Sequence, residues 1–132
     1  MAVLTQTYDP NEGPIVQVTI AAHGSSNGAT FPFLLDTGAD GSSISSDVIS
    51  ALSLLPIGRV ATITTASKQG SVRTFLVDVA IKCDDMTWRK SGLLVAEFLY
   101  NKPSIRGLIG RDILCLGDFT MRADHTFDLK LY

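Results

Sequence analysis

The sequence has no long hydrophobic run, no cluster of basic residues and little excess charge of either sign. Eleven Lys and Arg residues against thirteen Asp and Glu residues give a formal net charge of −2. Such a balance offers no electrostatic basis for binding nucleic acid or an anionic membrane. A membrane-spanning helix needs about eighteen or more consecutive apolar residues, and no such run is present. We therefore expect neither nucleic acid nor a membrane among the partners of this chain.

Cysteine is scarce, with only Cys83 and Cys115 in the chain. The N-terminus lacks the charged and apolar blocks of a secretory signal, so if Met1 is the natural start we expect a cytoplasmic protein. In that compartment two cysteines are more often separate buried thiols than a disulfide, and this is the prediction for both of them.

The length and the hydrophobic pattern predict one small all-β domain. A chain of 132 residues with 45% hydrophobic content fits a single domain with a real core. Residues 1–14 are polar and end in a turn-like cluster, which predicts a loose N-terminal arm before a domain at 15–132. Short apolar runs between closely spaced turn signals predict a small closed barrel with one or two short helices. The predicted strands lie at 15–20, 31–35, 59–65, 72–81, around 88, 92–96, 119–122 and 126–131, and the helices at 45–52 and 111–116.

One predicted strand ends abruptly in a carboxylate. Phe33, Leu34 and Leu35 form an apolar run, and Asp36 follows directly, before a series of small or polar residues. A carboxylate at the mouth of an apolar strand loses solvation unless other groups hold it. Gly38 leaves no side-chain bulk beside the carboxylate, so other backbone can approach closely. This is the local chemistry expected of a reactive acid.

Two segments together resemble a known family. The first is Asp36-Thr37-Gly38-Ala39-Asp40, which resembles the active-site signature of retropepsin-like aspartic proteases. The second runs from Gly107 to Leu114 and resembles the hydrophobic-hydrophobic-glycine segment of the same family and the short helix after it. Alone, Asp-Thr-Gly is a weak motif, but the second segment in the expected order makes the pair fairly specific.

The resemblance implies an aspartic endopeptidase that acts on polypeptides and uses no metal and no other cofactor. Asp36 is then the catalytic acid and base, Thr37 hydrogen-bonds across a dimer axis, and Gly38 approaches carboxylate and substrate with its backbone. The implied substrate-binding residues are Gly38, Ala39, Asp40, Ala66, Ser67 and Lys68, the last three at the tip of a flap hairpin. The implied support residues are Leu108, Ile109 and Gly110 beneath the loop, and Arg111 as a partner for Asp40.

Counting carboxylates predicts a homodimer. Aspartic proteases need two carboxylates that share one proton, because two close negative charges cannot both ionise cheaply. The chain holds no second Asp-Thr-Gly or Asp-Ser-Gly, and 132 residues are too few for two such lobes. The second carboxylate must therefore be Asp36 of another copy, and a two-fold axis places identical residues opposite each other.

Two other interpretations compete with the protease. Asp36, Asp40, Gly41 and Asp47 fall at positions 1, 5, 6 and 12 of a calcium-binding EF-hand loop, but Gly38 replaces an oxygen ligand and a strand precedes the loop. The other alternative is an inert dimerisation or peptide-binding module that keeps the retropepsin fold without activity. The intact Asp-Thr-Gly favours the enzyme.

Overall fold

The computed structural model describes residues 1–57, 60–64, 69–98 and 102–132, and over these ranges the chain is built mainly of β-strands. The predicted all-β class is therefore confirmed. The elements are β1 (Ala2–Thr7), β2 (Ile15–Ala22), β3 (Gly28–Leu35), β4 (Ser43–Ile44), α1 (Ser46–Ala51), β5 (Val60–Thr64), β6 (Gln69–Lys82), β7 (Thr87–Glu97), β8 (Gly107–Ile109), α2 (Arg111–Leu114), β9 (Gly117–Met121) and β10 (Thr126–Leu131).

Six strands close into the predicted barrel. Their order is β2-β3-β8-β4-β7-β6, and β6 pairs back with β2 to complete the ring. β5 extends the sheet as a hairpin with β6, at the place of the predicted flap. Among the described residues, no helix has the length and apolarity needed to cross a membrane.

The barrel interior follows from the alternation of apolar and polar residues along each strand. On β2 the side chains of Val16, Val18 and Ile20 are buried, while Gln17 between them is exposed. The helix after the acidic loop begins where predicted, because the side chain of Ser45 accepts a hydrogen bond from the backbone N–H of Val48. Local sequence therefore determines these elements.

The N-terminal residues are not the loose arm expected from the sequence. They form β1, the outer strand of a second sheet with the order β1-β10-β9. Ala2 and Leu4 are buried in the core because they lie on the same face as the buried residues of β10. The division of the chain into an arm and a domain at residue 14 stays a prediction.

The expectation of two strands after the turn at residue 84 is wrong. One of them was placed at Trp88 and the other from Gly92, but a single strand, β7, runs from Thr87 to Glu97. Its pairing with β6 shifts register between Val77 and Val79. Gly92 has a φ of 68°, a left-handed conformation that glycine adopts without a steric cost, so the strand continues through a bulge.

The bulge is held by the carboxylate of Asp78. One oxygen accepts hydrogen bonds from the Gly92 N–H at 2.8 Å and the Ser91 hydroxyl at 3.0 Å, and lies 2.8 Å from Nδ1 of His23. The other accepts from the Gly24 N–H at 3.0 Å. The contact with His23, followed by the Gly24 hydrogen bond, holds the pKa of Asp78 well below its ordinary value. Asp78 thus joins the β2–β3 loop to the bulge.

The two cysteines differ in environment. Cys83 is buried and Cys115 is exposed, and each is a free thiol. The prediction of two buried thiols is therefore wrong for Cys115, which lies at the C-terminal end of α2 on the surface. Burial raises the pKa of the Cys83 thiol, so a smaller fraction of it is present as the reactive thiolate.

Replacing Asp78 with Ala should lower the free energy of unfolding by about 1–3 kcal/mol at neutral pH, because hydrogen bonds to a charged group are lost. The folded-state pKa of Asp78 is depressed, so its contribution is present above the ordinary carboxyl pKa and is lost as the pH falls below it. The difference in melting temperature between wild type and Asp78→Ala should therefore shrink progressively as the pH falls from about 4 toward the depressed folded-state pKa of Asp78. Asp47→Ala is the matched control, since that side chain is 72% exposed. A difference in melting temperature between wild type and Asp78→Ala that stays the same at low pH would contradict this account.

Candidate active site

The Asp36 loop is held at both ends by one strand. β3 leads into the loop at Leu35, which lies opposite Ile109 of β8 in a parallel pairing. β4 leaves the loop at Ser43, which lies opposite Leu108 of β8 in an antiparallel pairing. The backbone N–H of Asp36 also donates to the carbonyl of Ile109 at 2.9 Å. The predicted support strand thus lies directly between the two arms of the loop.

The carboxylate of Asp36 is oriented by its own loop. The side-chain Oδ1 accepts a hydrogen bond from the Gly38 N–H at 2.9 Å, and the backbone carbonyl of Asp36 accepts one from the Ala39 N–H at 3.2 Å. Asp36 is half-buried, whereas Thr37 and Gly38 are exposed. The arrangement fixes the direction of an acid that a second molecule can still reach.

Gly110 lets β8 and the loop approach each other closely. A Cβ at this position would lie 2.6 Å from the backbone of Gly41 and 2.9 Å from the carbonyl oxygen of Ala39. Such contacts are too short for any side chain, so glycine is required here. Beneath the loop, Ile109 is only 1% exposed, and it belongs to the central core.

Arg111 contacts the loop from the start of α2. Its guanidinium forms an ion pair with Asp40 and donates to the carbonyl of Thr37 at 2.7 Å, while its backbone N–H donates to the carbonyl of Ala39 at 2.9 Å. The Asp40 side chain is 95% exposed and that of Arg111 is 43% exposed. Solvent screens such a pair, so it stabilises the fold by little.

The sequence interpretation missed a buried bridge between Ser42 and Asp112. The Ser42 hydroxyl donates to Asp112 Oδ1 at 2.7 Å, and the Ser42 N–H donates to Asp112 Oδ2 at 2.9 Å. The same hydroxyl accepts from the Gly110 N–H at 3.1 Å. Ser42 is only 3% exposed. The sequence does place an acid, Asp112, in the first turn of the second predicted helix. Nothing in the sequence indicates that Ser42 is its partner.

The structure brings together most of the residues predicted for the site. Asp36, Thr37, Gly38, Ala39 and Asp40 form the loop, and β8 with the start of α2 lies against it. The remaining predicted substrate-binding residues, Ala66, Ser67 and Lys68, lie outside the described residues. Their hairpin is described only at its strands, where Thr64 lies opposite Gln69.

The architecture is that of the retropepsin-like aspartic proteases. The crystal structure of a retropepsin-like aspartic protease from Rickettsia conorii superposes with a TM-score of 0.66 at 12% sequence identity, covering 98% of this chain and 89% of that one. The EIAV protease in complex with the inhibitor HBY-793 is 30% identical, with 83% of this chain and 92% of that chain covered and a TM-score of 0.49.

A family model described as aspartyl protease matches residues 16–113, which include the Asp36 loop, β8 and most of α2. The chain therefore belongs to the aspartyl protease family, and its fold is retropepsin-like. A search of curated proteins gives no significant match.

The buried bridge and the exposed ion pair should differ in their effect on stability. Ser42→Ala should lower the free energy of unfolding by about 1–3 kcal/mol, since it leaves the part-buried Asp112 carboxylate and the buried Gly110 N–H with fewer hydrogen bonds. Arg111→Ala should lower it by less than about 1 kcal/mol, because the Asp40 pair is exposed. Chemical denaturation measures both values, and Ser50→Ala on the exposed face of α1 is the control. A larger loss in Arg111→Ala than in Ser42→Ala would overturn this ranking.

Proposed function

We propose that this protein is an aspartic endopeptidase whose catalytic dyad consists of two copies of Asp36 at the axis of a homodimer. The observation that carries the proposal is the Asp36 carboxylate itself. It is half-buried, its Oδ1 is held by the Gly38 N–H at 2.9 Å, and its loop is anchored on β8 at both ends. Family membership supports the same chemistry.

Peptide hydrolysis by carboxylates requires two of them with different protonation states. The ionised carboxylate removes a proton from a water molecule as it attacks the scissile carbonyl, and the protonated one donates a hydrogen bond to the carbonyl oxygen. Two carboxylates at close range share one proton because their like charges repel, so the pair titrates as a unit. No metal or other cofactor takes part in this mechanism.

The other acids beside the loop already have partners. Asp40 forms an ion pair with Arg111, and both oxygens of Asp112 accept hydrogen bonds from Ser42. This leaves Asp36 as the acid best placed to react, and one chain supplies only one such group. A second copy related by a two-fold axis supplies the other.

The neighbouring residues then take the roles that the family implies. We assign to Thr37 a hydrogen bond to its counterpart across the axis, which fixes the two Asp36 carboxylates relative to each other. We assign the binding of the substrate main chain to the backbone of Gly38 and Ala39 and to Asp40. We assign to residues 66–68 the family's flap role, in which they cover the substrate and offer it backbone hydrogen bonds.

Asp36→Asn should abolish peptide cleavage, because the amide is nearly isosteric with the carboxylate but cannot accept the proton of the attacking water. Cleavage of a denatured protein mixture, with and without an aspartic-protease inhibitor, measures the activity. Asp47→Asn is the matched control, since Asp47 is exposed at the start of α1 and should leave the rate unchanged. Full activity of purified Asp36→Asn would remove Asp36 from the mechanism, and an inactive wild type would favour the inert module.

Activity should also depend on assembly. A monomer holds half of the dyad, so specific activity should fall as the protein is diluted below its dimer dissociation constant. Mixing wild type with excess Asp36→Asn should reduce activity further than dilution alone, because each mixed dimer carries one competent carboxylate. Analytical ultracentrifugation gives the dimer fraction for comparison. A flat specific activity across a series in which dimer becomes monomer would disprove the shared dyad.

A further inference from the structure

An open groove of about 530 Å³ lies on the outer face of the barrel, between the β2–β3 loop and β7. Its floor consists of small residues on three neighbouring strands, namely Thr19 and Ala21 of β2, Gly28 of β3 and Ala80 of β6. Thr19 and Ala80 each lie between two buried residues of their strand, so this face of the sheet points away from the core. Because the floor residues are small, the surface is concave there.

The two strands at the centre of the floor, β2 and β6, are paired on both sides. β2 pairs with β3 and with β6, and β6 pairs in addition with β7. The backbone N–H and C=O groups of the floor are therefore used within the sheet. A ligand in this groove is recognised by side chains, and not by the addition of a further strand.

Two successive cations, Arg89 and Lys90 of β7, line the groove. In a regular strand successive side chains point to opposite faces, and Trp88, directly before Arg89, is buried. Strict alternation would therefore turn Lys90 inward, as it does Trp88. The pairing of β7 with β6 shifts register directly after Lys90, and Arg89 and Lys90 are both exposed. The bulge thus allows two neighbouring positive charges to face the same groove.

Arg89 differs from the other arginines of the described residues in having no acidic partner. The other four each form an ion pair with an acid: Arg73 with Glu97, Arg106 with Asp47, Arg111 with Asp40 and Arg122 with Asp128. Lys90 likewise forms no ion pair within these ranges of the chain. The two cations of the groove therefore remain available to an acid from another molecule.

The acid that lines the groove, Asp78, is already surrounded by donors of its own chain. It accepts hydrogen bonds from the Ser91 hydroxyl and from the N–H groups of Gly24 and Gly92, and it contacts Nδ1 of His23. These donors offset its negative charge. An incoming ligand therefore meets the positive charge of the two cations.

We propose that this groove binds an acidic, extended segment of a polypeptide, and that in the proposed protease this segment belongs to the substrate, at a distance from the scissile bond. The assignment of the segment to a substrate rests on the proposed function. The groove would then be a second substrate-binding site, which selects polypeptides by charge before or while the Asp36 dyad cleaves them.

An acidic segment matches the groove in charge and in hydrogen bonding. Carboxylates of Asp or Glu side chains pair with Arg89 and Lys90. The Ser25 hydroxyl, which also lines the groove, accepts a hydrogen bond from the Asn27 N–H at 3.1 Å and can donate its own proton to a carboxylate. Two cations suit a short segment, and the formal net charge of −2 on the chain disfavours a long polyanion such as nucleic acid.

The groove and the Asp36 carboxylate lie at opposite ends of β3. Gly28, on the floor of the groove, begins this strand of 8 residues, and Asp36 directly follows its last residue, Leu35. At about 3.3 Å per residue, the two positions are about 26 Å apart. A substrate that occupies both sites therefore needs at least about eight extended residues between its acidic segment and its scissile bond.

Binding is tested with the Asp36→Asn protein, so that cleavage does not consume the probe. The probe is a fluorescein-labelled peptide of Glu-Ser repeats, and the matching Gln-Ser peptide is its control. Arg89→Ala or Lys90→Ala, each added to Asp36→Asn, should raise the Kd of the Glu-Ser peptide about two- to fivefold at low salt. Lys130→Ala on β10 removes the same charge outside the groove and should leave the Kd unchanged. Fluorescence anisotropy measures all of these values.

Two results would overturn the proposal. One is an Asp36→Asn protein that fails to bind the Glu-Ser peptide, or that binds the Gln-Ser peptide as tightly. The other is an equal loss of affinity in Lys130→Ala and in the groove variants, which would mean that the peptide responds to net charge alone.

A neutral substitution tests the shape of the groove separately from its charge. Ala21→Leu fills part of the floor and should also raise the Kd of the Glu-Ser peptide several-fold. Gln17→Leu is the matched control, because Gln17 is an exposed residue of the same strand that does not line the groove. Circular dichroism checks that each variant is folded. An unchanged Kd in Ala21→Leu would show that the peptide does not enter the groove.

The role in substrate selection is tested with a peptide that the wild type cleaves, extended by a ten-residue spacer and then by Glu-Ser repeats. Its KM should be lower than that of the same peptide with Gln-Ser repeats, and Arg89→Ala should raise KM for the Glu-Ser version alone while leaving kcat unchanged. Shortening the spacer to three residues should remove the advantage, since the segment no longer reaches the groove. Equal KM values for the two long peptides would contradict this role.

These measurements separate the groove from the proposed function. If Asp36→Asn binds the Glu-Ser peptide through Arg89 and Lys90 but the wild type shows no cleavage that Asp36→Asn abolishes, the acidic-segment site stands and the protease proposal fails. If the wild type cleaves and Asp36→Asn does not, while the Glu-Ser peptide does not bind, the dyad stands and the groove proposal is wrong.

Discussion

The pairing of β8 with both β3 and β4 is the constraint on which the candidate site depends. Three residues, Gly107–Ile109, pair in parallel with the strand that delivers Asp36 and antiparallel with the strand that follows its loop. The loop between the two arms is short, and because both arms are fixed to one strand its backbone has little freedom. The carboxylate is positioned by main-chain geometry, and few side chains are needed to hold it.

The acids around this strand differ in the contacts that the chain makes with them. Asp112 binds the loop internally through Ser42, which is buried, and Asp40 forms a surface pair with Arg111. Among the described residues, the Asp36 carboxylate receives one hydrogen bond, from the backbone N–H of Gly38. Asp36, the acid proposed to react, thus differs from its two neighbours, whose carboxylates contact side chains of the same chain.

Elements that depend on near neighbours could be predicted from the sequence. Val16, Val18 and Ile20 alternate with polar residues and form a strand with that face inward, and the Ser45 cap marks the start of α1. The Asp-Thr-Gly motif likewise located the loop. In these cases, each signal and its structural consequence lie within a few residues of each other.

Features that depend on distant partners could not be predicted. Ser42 and Asp112 are 70 residues apart in sequence, and neither stands out from other polar residues. Strand β4 is two residues long and exists because β7 and β8 lie on either side of it. The exposure of Asp40 depends on how the loop is turned toward solvent, which the motif does not encode.

The pairing of β1 with β10 places the two ends of the chain side by side, with Ala2 opposite Leu131. This contact closes a loop of nearly the whole chain, and loop closure carries an entropic cost before the contact is rewarded. In a circular permutant, with the ends joined by a short linker and the chain reopened in the exposed turn at residues 9–11 between β1 and β2, the same strands become a local hairpin. Such a permutant keeps every strand pairing, lowers the mean sequence separation of the contacts and should fold faster.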